Sequence, residues 1–87
     1  MNGAGAAKLD IKYPCRWQYR LIGEDRAAMA AAVGEAVDLA RCGLADGKTS
    51  SGGRYRTLVL DVPVADEAER LRLYRYFSSH PAVRVVL

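Results

Sequence analysis

The chain carries one histidine, two cysteines and one tryptophan, and no run of apolar residues approaches 18. Each shortage removes a class of function. His80 is the only imidazole, and Cys15 and Cys42 stand far apart with no Cys-x-x-Cys or Cys/His spacing, so a structural zinc site or an iron–sulfur cluster has no ligand set. Without a long apolar run no membrane-spanning helix is expected. The opening MNGAGAAKLDIKYP lacks the apolar stretch of a secretory signal. These absences predict a cytoplasmic protein without metal, cofactor or membrane contact.

Catalytic groupings are missing too. His80 precedes a proline at a helix end, where an imidazole serves as a local cap. Ser50 and Ser51 lie in a turn with no base beside them. Asp10, Glu24, Asp25, Asp46 and Asp61 show no spacing suited to metal or glycoside chemistry. The expectation is a protein that is not an enzyme. The formal net charge of +3 is mild and calls for no acidic partner.

What is present is a clear pleat. In Arg54 to Val64, Leu58, Leu60, Val62 and Val64 alternate with Tyr55, Thr57, Val59 and Asp61. A period of two over that length predicts a central strand with one face buried. Cys15, Trp17, Tyr19 and Leu21 alternate with Arg16, Gln18 and Arg20 in a second strand that ends at Gly23. Asp25 is positioned to cap a helix running to about Arg41, with Met29, Ala32, Val33, Ala36, Val37 and Ala40 as its apolar stripe and Gly43 as its stop. A short edge strand is predicted over Ala45 to Ser50, with Ser51-Gly52-Gly53 as a hairpin turn. Asp66 and Glu69 form a capping-box pattern before a helix to about Ser78, whose apolar side is Leu71, Leu73, Tyr74 and Phe77. Ala82 to Leu87 reads as a final strand, with Val83, Val85 and Leu87 on the covered face and Arg84 and Val86 on the other.

At 87 residues one domain is expected, spanning 13–87 behind a loose tail over 1–12. The order β-α-β-β-α-β, with right-handed crossovers, predicts an α+β ferredoxin-like plait. Its antiparallel four-stranded sheet has strand order 4-1-3-2, with both helices on one face. The same topology is expected to bring Cys15 and Cys42 together, as buried inert thiols or as a redox-sensitive pair.

The segments YPCRWQYRLIG at Tyr13 to Gly23, SSGGRYRTL at Ser50 to Leu58 and the terminal VRVVL resemble the YbeD-like family of small bacterial proteins. The resemblance runs from about Tyr13 to Leu87. Two stretches depart from the family pattern: the alanine-rich first helix and the short, glycine-rich region before the central strand. The family is similar in fold to ACT-like regulatory domains and has no assigned activity. It implies a regulatory or interaction module that binds a small-molecule effector or a protein partner, with a homodimer as the expected assembly. In ACT-like domains the ligand lies near the first strand-to-helix turn; the matching positions are Gly23, Glu24 and Asp25.

The uncovered sheet face offers a second expectation. By parity it carries Arg16, Gln18, Arg20, Tyr55, Thr57 and Arg84, together with Val59, Asp61 and Val86. RNA-recognition domains use this face, stacking bases on aromatics of both central strands. The first strand here has no aromatic on that face and the other central strand has Tyr55 alone, so weak RNA binding is the alternative rather than the leading expectation.

Overall fold

The computed structural model describes residues 10–49 and 52–87. Strand β1 (Cys15–Gly23) leads to helix α1 (Arg26–Ala36), a 3-10 turn (Leu39–Arg41) and strand β2 (Gly43–Asp46). Strand β3 (Arg56–Val64), helix α2 (Glu67–Ser79) and strand β4 (Val85–Val86) follow. The sheet order is β2-β3-β1-β4, antiparallel throughout, which is the ferredoxin-like arrangement. Ser50 and Ser51, and residues 1–9 of the expected tail, lie outside the described residues.

β1 and β3 pair along their whole length, from Cys15 opposite Val64 to Gly23 opposite Arg56. Register is set by burial, because a slip of one residue would turn every leucine outward. Tyr19, Leu21, Leu58, Leu60, Val62 and Val64 are buried under the helices with Met29, Val33, Leu73 and Phe77. Trp17 and Cys15, on the same face, are partly buried against this core. Ala32 on α1 is buried beside Met29 and Val33, and its small side chain lets the helix lie close to the sheet.

α1 ends five residues before the expected Arg41. Val37 is extended (φ −140°, ψ 160°), and the Asp38 carboxylate accepts the Ala40 N–H to start the 3-10 turn. A β-branched residue followed by a good capping residue breaks the helix although alanine continues around them. The edge strand accordingly begins early, at Gly43 rather than Ala45, with Gly43 opposite Asp61 and Asp46 opposite Leu58. Gly43 opens a strand and is not a helix stop. The predicted tight hairpin is a longer connection: Gly47 N–H donates to the Thr57 carbonyl (2.8 Å), and Gly53 turns the chain at φ +72°, where a side chain would be strained.

Both caps form. Asp25 accepts the Ala28 N–H (3.1 Å), and Asp66 accepts the Glu69 N–H (2.8 Å) while Glu69 Oε1 accepts the Ala65 N–H (2.7 Å). α2 is rotated from the expected face. Tyr74 is 47 % exposed, and Tyr76 takes its place, edge-on to Phe77 at 5.3 Å between ring centres. Tyr74 sits about 100° round the helix from Leu73, whereas Tyr76 and Phe77 stack one turn above it.

The last strand corrects a parity. Arg84 N–H donates to the Ile22 carbonyl (2.7 Å), yet Val85 is the register partner of Ile22. Two residues therefore oppose one, the count of a β-bulge. The extra residue puts Val83 and Val86 inward, three apart, and leaves Val85 and Leu87 on the open face with Arg20 and Ile22.

Cys15 and Cys42 are both free and partly buried, but they are not neighbours. Cys42 precedes β2 and Cys15 starts β1, and β3 runs between those strands. Two strand spacings make about 10 Å, beyond disulfide reach. Burial pushes the Cys42 thiol above its ordinary pKa, which suits an inert group.

Candidate functional site

The first strand-to-helix turn is built for packing. A Cβ on Gly23 would sit 2.4 Å from the Ala82 carbonyl oxygen and 2.9 Å from Met29 Sδ, so this glycine lets three segments meet. Glu24 Oε2 accepts from Arg84 Nη2 (3.1 Å) and Arg54 Nη2 (3.4 Å). Asp25 caps α1. A hollow of about 220 Å³ lies beside them, walled by Glu24, Asp25, Pro81, Ala82 and Arg84. Both carboxylates of this turn already have protein partners.

The open face divides into two halves. At the β1 start, Arg16 Nε donates to Asp61 Oδ1 (2.9 Å) and its Nη2 reaches the Asp61 and Arg41 carbonyls (3.3 and 3.5 Å). Gln18 is exposed opposite Asp61. Toward the β1 end the surface turns apolar. Arg20 lies between Val59 and Leu87, and Ile22 between Thr57 and Val85. Val85 and Leu87 are 44 % and 68 % exposed. Ile22, Tyr55, Arg84 and Val85 wall a shallow depression of about 350 Å³, and the Arg54 guanidinium lies 5.2 Å from the Tyr55 ring centre.

Of the residues expected on this face, Tyr55 and Arg84 meet at the depression, Thr57 and Arg20 border the apolar half, and Arg16 and Gln18 stay in the polar half. Val86 faces the core instead, displaced by the bulge. Ile22, Val85 and Leu87 went unforeseen. The alternation of β1 alone places Ile22 opposite to Leu21, so that signal was available. The valine run of β4 contains no comparable signal.

A hollow of about 170 Å³ lies at the other end, between the end of α1, β3 and α2. Its two carboxylates, Asp38 and Glu69, are engaged as caps. Near it Arg70 forms a clasp: its Nε donates to Tyr13 Oη (2.7 Å), its guanidinium lies 4.7 Å from the Trp17 ring centre, and its carbonyl accepts from Tyr19 Oη. Burial pushes the Tyr19 phenol up to about 12.

His80 is structural in its contacts. Its Nδ1 accepts the Ala82 N–H (3.1 Å) and its Nε2 lies 3.9 Å from Glu35 Oε1. Among the described residues no group of three or more His, Cys, Asp or Glu side chains could hold a metal ion, and no helix is long and apolar enough to cross a membrane.

A family model described as a protein of unknown function (DUF493) matches residues 8–87. A solution structure of protein HP0495 from Helicobacter pylori is similar with a TM-score of 0.83 at 22% identity, covering 100% of this chain and 96% of that one. A second solution structure, of the hypothetical protein HP0495 from the same organism, gives 0.63 at 24% identity, covering 92% and 93%. At these identities the likeness concerns the fold. No curated protein matches the chain.

Proposed function

This chain belongs to that family of proteins of unknown function, the YbeD-like family, and from that premise we propose a non-enzymatic regulatory or interaction module that docks a protein partner on its open sheet face. The observation that supports the reading is the apolar half of that face. Val85 and Leu87 stand exposed beside Ile22 and Val59, on the one side of the sheet that neither helix covers. Grouped apolar side chains rimmed by arginine and tyrosine have the composition of a docking surface.

An effector at Gly23, Glu24 and Asp25, in the manner of ACT-like domains, has less in its favour, since both carboxylates are engaged within the protein. RNA binding on the open face would draw on Arg16, Arg20 and Arg84, two of which already hold carboxylates. We propose the cytoplasm as the module's compartment.

The test is affinity capture from the source cell with the intact chain, Val85→Asp, Leu87→Ser and, on the exposed side of α2, Arg75→Glu. A partner held by the intact chain and by Arg75→Glu, and lost with the two open-face variants while their circular dichroism is unchanged, is the expected result. Capture indifferent to Val85 and Leu87 sinks the docking face. A thermal-shift screen of amino acids and metabolites tests the effector reading, which predicts a shift that Glu24→Gln removes.

A further inference from the structure

We infer that the segment received by the open face carries a carboxylate among apolar side chains, and that Arg20 is the residue that receives this carboxylate. The inference rests on the docking role proposed above and adds the chemistry of the partner.

Arg20 stands on apolar ground. Val59 is its register partner on one side. On the other, its backbone N–H donates to the Leu87 carbonyl (3.0 Å) and its carbonyl accepts the Leu87 N–H (2.9 Å). Ile22 follows two residues along on the same face, beside Val85. The other arginines of this face are matched: Arg16 with Asp61 at 2.9 Å, and Arg84 with Glu24 at 3.1 Å. Asp61, two residues along β3 from Val59, is the acidic side chain closest in register to Arg20, and Arg16 holds it. Among the described residues Arg20 has no ion pair.

A guanidinium in water needs no partner. Its situation changes when a partner covers Val59, Leu87, Ile22 and Val85. Water then leaves the ground around Arg20, and a charge stripped of water without a counter-charge is costly. Whatever covers these side chains has to answer Arg20. A second copy of this chain would bring the same face, whose acids Asp61 and Glu24 are already held, and would set arginine against arginine. A single strand of RNA could supply phosphate, but β1 offers its bases only Arg16, Gln18, Arg20 and Ile22, with no aromatic to stack on. A carboxylate fits the planar fork of arginine, and flanking apolar side chains fit Val85 and Leu87.

The experiment uses the full chain, 15N-labelled, and three blocked peptides of sequence Thr-Val-Leu-Xaa-Leu-Val-Thr with Glu, Gln or Lys at Xaa. The glutamate peptide is expected to move the amide signals of Arg20, Ile22, Val59 and Leu87 and the Arg20 side-chain Nε–H. The glutamine peptide should bind roughly five-fold more weakly, the ratio of one modest ion pair, and the lysine peptide more weakly still. In Arg20→Gln the glutamate and glutamine peptides should bind alike. Equal binding of the glutamate and lysine peptides at these amides, or an undiminished glutamate preference in Arg20→Gln, overturns the inference and leaves the docking face standing. If no peptide moves any open-face amide, the face itself is removed. Movement of those amides by an oligouridylate and not by the glutamate peptide overturns the inference in favour of nucleic acid. Movement with protein concentration alone overturns it in favour of a second copy.

Discussion

On β3, Val59 and Leu60 are consecutive residues with opposite surroundings. Leu60 has no exposed surface beneath the helices, and Val59 remains partly open on the far side of the sheet. The same contrast runs through β1, where Leu21 is closed off and Ile22 borders a depression. The helix-covered face is specified by apolar area, and close packing leaves it little freedom. The far face is constrained mainly by strand pairing, which backbone atoms supply. Its side chains are therefore the ones free to serve something other than stability.

That contrast can be broken first by truncation. Leu60→Ala should cost about 3 kcal/mol, in the range for a buried leucine, and Val59→Ala less than about 1 kcal/mol, both measured by denaturant unfolding. Equal losses would mean that the far face is buried too, as a stable self-association would bury it.

Alkaline titration sharpens the comparison next. Burial raises the Tyr19 phenol from an ordinary 10.0 to about 12, so the folded state holds the proton more tightly than the unfolded chain. The associated stability, about 2–3 kcal/mol for a shift of that size, is whole below about pH 10 and is lost as pH rises toward about 12. Tyr19→Phe should unfold with a smaller loss over that window, and an identical loss would refute the assignment.

Gly23→Ala should cost about 2 kcal/mol, because the new methyl meets a backbone carbonyl that cannot rotate away. Its effect belongs in stability and in amide-exchange protection at Leu87. Arg16→Ala should change stability least, by about 0.5 kcal/mol or less for a half-exposed pair, with the difference vanishing in high salt.

Much of the covered face was legible because Leu58 to Val64 and Cys15 to Leu21 alternate without interruption. Composition alone makes α1 too long, because Ala36 to Arg41 has helical composition throughout; Val37 and Asp38 end it through backbone geometry, which composition does not carry. In α2, Tyr74 and Tyr76 are the same residue type about 200° apart round the helix, and composition does not tell which of them turns inward. On the open face, parity alone gives the side of the sheet on which Arg16, Arg20 and Thr57 stand. It could not locate Val85 and Leu87, because three valines and a leucine look apolar in either register.

The bulge at Arg84 and Val85 decides which of two neighbouring valines meets solvent. Regular pairing through that point, with Arg84 alone opposite Ile22, would swap them, hiding one and showing the other, while Val83 kept its place beneath the helices. The greasiness of the outer surface thus hangs on one extra residue in an edge strand, which sets the facing of everything after it.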